Sequence, residues 1–260
     1  EAGAPGALSG VSVRQIPGDR GMLDVETLNR HERHPDIHFS PTRLLCLENP
    51  TNIGGGNAYS LEQLRQVHDW AKSRGLKVHI DGARLFNACV ARGMQAADIA
   101  QYADTVSICF SKSLGCPMGS ILVGTSEDMV LARRARKLFG GALRQAGMMA
   151  ASAIYALKHH VDRLAEDHAN AKRFAEIIAE HRHVRVDLDL VETNLVFFHI
   201  DSEWGSDADL SRMLTRRGVK LTPLGAGRLR AGRHLDVSSD QVETAARLLI
   251  ECLNQPASHH

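Results

Sequence analysis

No stretch of this 260-residue chain holds eighteen consecutive apolar residues, so the sequence offers no membrane-spanning helix. No Cys-x-x-Cys pair occurs among its five cysteines, Cys46, Cys89, Cys109, Cys116 and Cys252. That argues against a zinc knuckle or a disulfide framework, and a reducing compartment fits best. Charge of one sign is also lacking: 31 Lys and Arg stand against 30 Asp and Glu, for a net +1. No broad field therefore draws in nucleic acid or an anionic membrane. The basic clusters "RRARK" (133–137) and "RRG" (216–218) read as solvated helix faces. The 14 histidines are scattered, and neither His159–His160 nor the terminal pair His259–His260 has the supporting ligands a metal site needs. The terminal pair reads as a tag remnant. The opening "EAGAPGALSG" has neither the basic start nor the apolar run of a secretion signal, and it lacks an initiator Met. It reads as the middle of a longer protein. There is no internal repeat and no low-complexity segment.

What is there is ordinary for a soluble globular chain: 43% hydrophobic and 23% charged residues, enough for one large domain or two modest ones. Short apolar runs at "TRLLCLEN" (42–49), "LKVHID" (76–81), "TVSICF" (105–110) and "GSILVG" (119–124) read as strands. Helices intervene. Ser60 can cap one that carries Leu61, Leu64, Val67 and Trp70 and stops at Gly75, and "MQAADIAQYA" (94–103) reads as another. This alternation predicts a mostly parallel sheet with crossover helices. A long helical period follows, broken at Gly140–Gly141. Beyond residue 183, "VRVDL", "NLVFFHI", "KLTP" and "RLRAG" read as short strands, with helices at "DLSRMLTRRG" and "SSDQVETAARLLIECL". The expected organisation is a large α/β domain over 1–150, then an interdomain helix and a small α+β domain over 151–260.

Two segments carry chemistry. In "VHIDGARLFNA" (78–88), Asp81 ends a strand and Arg84 follows three residues on. In "VSICFSKSLGCPMGS" (106–120), Lys112 follows the next strand between Ser111 and Ser113. Ligands of open α/β sheets bind beyond the carboxyl ends of the strands, so Asp81 and Lys112 should open onto one pocket. An Asp–Arg pair closing a loop is the bland alternative. Pyridoxal phosphate would use this pairing: a lysine amine condenses with its aldehyde, and an acid keeps its ring nitrogen protonated.

The wording of "HIDGARLFNA", "SICFSKSLGCPMGSILVG", "GGALRQAGMMAASAIYAL" and "RLRAGRHLDVSSDQ" resembles the low-specificity L-threonine aldolases. These are pyridoxal-phosphate enzymes of the β-eliminating lyase group. The last segment is similar to their C-terminal R-x-x-T-H-x-D-V-S. The resemblance implies an aspartate-aminotransferase-like (type I) fold, with its N-terminal part missing from this chain. It implies cleavage of L-threonine and L-allo-threonine to glycine and acetaldehyde by a homodimer or homotetramer, cytoplasmic or mitochondrial.

Residue by residue, Lys112 matches the lysine that binds the cofactor, Asp81 the acid at the pyridine nitrogen, and Arg84 an adjacent cofactor arginine. Ser111 would help place the lysine or the phosphate. Arg144 matches an arginine near the phosphate, and Arg230 the arginine that clamps the substrate carboxylate. Taken without the resemblance, Arg228 and Arg233 are equal candidates for that clamp, and a surface strand arginine is the bland reading. The family's E-N-T-H is E-N-P-T here (48–51), which puts Thr51 at the catalytic loop position. A threonine hydroxyl is no base near neutral pH, so water or another histidine would have to take the β-hydroxyl proton. Slower catalysis or a changed substrate preference is expected. The resemblance also implies that a histidine stacking on the cofactor and a Gly-Thr phosphate loop lie outside the chain. Two other readings follow from these differences: another β-eliminating lyase or a transaminase, and a non-catalytic homologue that does not hold the cofactor.

Overall fold

The computed structural model describes residues 2–33 and 36–255, and the terminal pair His259–His260 lies outside the described residues. Two short helices lead, α1 (Ala4–Ser9) and α2 (Val25–His31). The Asp24 carboxylate caps α2 by accepting from Thr27 N at 2.7 Å.

The first sheet has four strands in sequence order: β1 (Leu44–Glu48), β2 (Lys77–Gly82), β3 (Thr105–Cys109) and β4 (Ser120–Gly124). β1, β2 and β3 are parallel. Period-2 alternation decides what each face does. Leu45, Leu47, Val78, Ile80 and Val106 point inward to a core with the helices, and their neighbours Cys46, His79, Asp81 and Ser107 point to the other face. β4 runs antiparallel to β3, because the link over 110–119 is too short for a crossover. Instead it folds back on itself: Cys116 N donates to Phe110 O at 3.0 Å, and Phe110 N donates to Gly119 O at 2.9 Å.

Helix α3 (Leu61–Ser73) crosses from β1 to β2. Ser60 and Gln63 form a reciprocal capping box, Leu64, Val67 and Ala71 are buried, and Gly75 takes the left-handed φ of +66° that releases the chain. α4 (Leu85–Arg92) and α5 (Ala96–Ala100) lead to β3. α5 is shorter than the 94–103 expected, because tight turns at Tyr102 and Ala103 let Asp104 N reach Val78 O at 2.8 Å. The long helical stretch resolves into α6 (Ser126–Leu138), α7 (Gly147–His159) and α8 (Leu164–Ala179), with the Gly140–Gly141 pair in the first break.

The second sheet comprises β5 (Val184–Arg185), β6 (Leu195–Ile200), β7 (Thr222–Gly225) and β8 (Arg228–Gly232), ordered 5-6-8-7 and antiparallel throughout. A 3₁₀ turn (Leu188–Leu190) replaces the second half of the expected "VRVDL" strand. α8, α9 (Asp207–Arg216) and α10 (Ser239–Leu253) cover one face. Phe174 and Phe198 meet edge-to-face there at 6.3 Å.

Polar contacts join the two sheets. Thr193 Oγ1 donates to Gly56 O at 2.8 Å, and Asn57 Nδ2 donates to Leu190 O at 3.1 Å. The Glu192 carboxylate accepts from Ala58 N at 3.0 Å and from Arg92 at 2.8 Å.

Candidate active site

Parallel register sets the first row of the site. Glu48 pairs with Asp81 across β1 and β2, and Asp81 with Ser107 across β2 and β3. Asp81 thus ends its strand with an exposed side chain whose Oδ1 accepts from Ala83 N at 2.9 Å. That bond pins the carboxylate at the strand end. Lys112 lies three residues beyond β3, also exposed, in a turn where Gly115 N donates to Lys112 O at 2.9 Å. The strand ends before the cation, and the ammonium reaches the surface on a turn. Lysine ion pairs among the described residues are confined to Lys72 and Lys77 with Asp104.

Arg84 opens α4 and is half-buried. Its Nε is buried with no hydrogen-bond partner. Burial lowers its pKa, the guanidinium of Arg230 lowers it further, and Glu48 and Asp81 work the other way. The guanidinium of β8 therefore acts on the one at the head of α4, beside two carboxylates. An anion is what relieves both the like-charge repulsion and the unpaired donor. A cavity of about 10 Å³, room for about one water, lies beside Arg84 between Asn87, Cys109 and Ser113.

Arg230 arrives from β8, where it donates from Nη1 to Asn52 Oδ1 at 2.9 Å. Arg228, on the same strand face, donates to Ile53 O at 2.7 Å and stacks 4.6 Å above the Phe197 ring. Arg233 is buried on the other side of the strand, over Phe174. Of the three arginines left open by spacing, Arg230 is the one whose guanidinium helps lower the Arg84 pKa.

The remaining expected residues fall less centrally. Ser111 is exposed beside Lys112, and its neighbour Ser113 is buried and accepts from Asn194 Nδ2 at 3.2 Å. Arg144 is exposed in the loop between α6 and α7, with no side-chain hydrogen bond or ion pair to the Asp81–Arg84 cluster. Thr51 is 1% exposed, and its hydroxyl points into its own loop at 3.5 Å from Asn57 O. The next residue, Asn52, is the one that reaches Arg230, while its own N–H donates to Glu48 at 2.8 Å. Glu48 and Asn52 were not singled out by sequence reasoning. The available signal was that Glu48 ends its strand as Asp81 does.

A parallel sheet whose strand ends carry an aspartate and a lysine, joined to a small antiparallel sheet that returns an arginine, is the aspartate-aminotransferase-like, type I architecture of pyridoxal-phosphate enzymes. Residues 1–202 match the beta-eliminating lyase family. The chain is 38% identical over 247 residues to the low specificity L-threonine aldolase of Escherichia coli strain K12, covering 95% of this chain and 71% of that protein. It is 35% identical over 248 residues to the low-specificity L-threonine aldolase 1 of Arabidopsis thaliana, covering 93% of this chain and 69% of that one. The crystal structure of a Leishmania major threonine aldolase superposes with a TM-score of 0.74 at 19% identity, over 94% of this chain and 71% of that one, a likeness of fold. The chain belongs to the beta-eliminating lyase family, in its threonine aldolase branch. Pyridoxal phosphate is the cofactor that membership implies. No helix among the described residues is long and apolar enough to cross a membrane.

Proposed function

We propose that this chain is a carbon–carbon lyase that cleaves L-threonine and L-allo-threonine to glycine and acetaldehyde. The observation that carries the reading is the grouping of Asp81, Arg84 and Arg230 at the joint of the two sheets, with a guanidinium donor left unpaired, while Lys112 sits on the turn after the neighbouring strand. Pyridoxal phosphate, when bound, supplies the electron sink for the carbon–carbon bond that breaks. The protein's share is binding, orientation and charge. Lys112 anchors the cofactor aldehyde. Asp81, held by Ala83 N, would be the acid for the ring nitrogen and would stabilise a proton there. Arg84 offers Nε to an anionic oxygen of the cofactor. Arg230, braced by Asn52, would grip the substrate carboxylate and so orient the substrate for cleavage. Ser111 and Arg144 are assigned to the phosphate. The β-hydroxyl proton needs an acceptor that the inward-turned Thr51 does not provide. Glu48, in the same strand-end row as Asp81, can take it.

Exposed Ile121, Leu122 and Val123 on β4, with Leu131 and Leu138 on α6 and Met148 on α7, support a homo-oligomer. The five free cysteines fit a reducing compartment, the cytoplasm or the mitochondrial matrix.

The test is borohydride trapping. Purified protein is mixed with pyridoxal phosphate, reduced and digested, and the peptides are read by mass spectrometry beside Lys112→Ala. A cofactor mass on the Lys112 peptide, together with acetaldehyde release from L-threonine that Lys112→Ala abolishes, is expected. Cofactor mass only on other lysines would leave the family's wording without its chemistry.

A further inference from the structure

Arg233 lies just past β8, on the side of the strand opposite Arg228 and Arg230. Only 6% of it is exposed, and its guanidinium stacks 4.1 Å above the Phe174 ring in the second core. Two of its donors, Nε and Nη2, are buried without a hydrogen-bond partner. These two N–H groups share one edge of the planar guanidinium, the edge that binds oxyanions side-on. Burial alone pulls its pKa down to about 10, with no carboxylate opposing the shift. A ring face offsets only part of the cost of a buried charge. A water would satisfy the two donors and leave the charge uncompensated. An anion does both.

Main-chain contacts tie Arg233 to the active-site turn. Arg233 N donates to Asn194 O at 2.9 Å, and Asn194 Nδ2 donates to Arg233 O at 2.7 Å and to Ser113 Oγ at 3.2 Å. Asn194 Oδ1 is itself buried and unpaired. Two residues on, Leu235 lies against Gly115, so closely that a Cβ there would meet Leu235 Cδ2 at 1.9 Å. Residues 233–235 are thus seated on the turn that carries Lys112. Arg233 also falls where the motif R-x-x-T-H-x-D-V-S has threonine, which brings no charge.

We propose that the Nε–Nη2 edge of Arg233 binds a small monovalent anion, a halide or a formate-sized carboxylate, beside Phe174 in the second core, behind the backbone that meets the Lys112 turn. A site this enclosed excludes larger anions. The bound ion neutralises the guanidinium and stiffens the seat of Lys112 through Asn194 and Ser113. It is separate from the carboxylate-binding role of Arg230 and does not depend on the reaction catalysed.

The experiment is thermal unfolding at constant ionic strength, replacing sodium gluconate with sodium bromide or, in a second arm, sodium formate. A ligand that binds only the folded state raises the midpoint with concentration above its dissociation constant. The wild type should respond in at least one arm, which also identifies the ion's chemistry. Arg233→Met and Arg233→Thr should lose about tenfold or more in apparent affinity. Equal responses in wild type and both variants, or no response in the wild type, overturn the proposal. If neither variant folds by circular dichroism, wild-type crystals soaked in bromide decide. An anomalous peak within hydrogen-bond reach of Nε and Nη2 supports the site, and its absence overturns it.

Discussion

Replacing Arg230 by lysine keeps the charge and removes the fork. In the structure one arm of that fork, Nη1, is held by Asn52 Oδ1 at 2.9 Å, which aims the remaining donors at the space shared with Arg84. A carboxylate bound there takes two parallel hydrogen bonds from arginine and one from lysine. Hydrogen bonds to charged groups contribute about 1.5–3 kcal/mol, so losing one should raise KM for L-threonine roughly 10- to 150-fold. The lost bond serves ground state and transition state alike, so kcat should fall much less than kcat/KM. Steady-state acetaldehyde release, measured with a coupled dehydrogenase, separates the two. Arg228→Lys is the internal control. That residue sits on the same strand face, but its guanidinium is spent on Ile53 O and the Phe197 ring. Its KM should stay within about twofold of wild type, because the contacts it loses are internal to the protein. An unchanged KM in Arg230→Lys, or a larger rise in Arg228→Lys, would refute the assignment of the clamp.

Two further outcomes rest on stability. Burial pulls the His168 pKa down to about 4 from 6.5, and Asn87 Nδ2, 3.0 Å from Nε2, favours the neutral ring by donating to it. The unfolded chain therefore binds this proton first as pH falls, and the stability from His168 is lost progressively from about 6.5 down to about 4. Urea unfolding at half-unit pH steps should give a flatter profile for His168→Gln than for wild type across that window, and parallel profiles would refute the assignment. Ser60→Ala removes one half of the α3 capping box and should cost about 1 kcal/mol in the same assay, with KM unchanged.

The first sheet was legible because its strands are short apolar runs closed by polar residues. Leu44 to Leu47 run up to Glu48 and Val78 to Ile80 up to Asp81, and Ser60 and Gly75 punctuate the helix between. The direction of β4 was not legible, since "GSILVG" reads the same either way and only the short link before it forbids a crossover. The helix α4 was not legible in "GARLFNAC", whose buried Leu85, Ala88 and Cys89 make too short a stretch to show a helical period. The row formed by Glu48, Asp81 and Ser107 depends on pairing register, a property of three strands at once that no single segment carries.

The same reasoning explains why Thr51 and Asn52 exchange importance. A loop position is assigned from sequence by counting along the chain, but orientation is set by what the loop packs on. Thr51 lies where the loop closes on Asn57, and its methyl group fills the space opposite Gly21, where an added Cβ would come within 3.3 Å of it. Asn52 comes one residue later, outside that closure, with its backbone N–H held by Glu48 and its amide oxygen turned to the other sheet. The Glu48 carboxylate therefore positions Asn52, Asn52 positions Arg230, and Arg230 stands near enough to Arg84 to lower its pKa. A chain of two hydrogen bonds crosses from the parallel sheet to the small antiparallel one. Each is a modest interaction alone. Together they set where the arginine of one sheet stands relative to Asp81 and Lys112 of the other, and small changes in this loop should act on substrate choice before they act on folding.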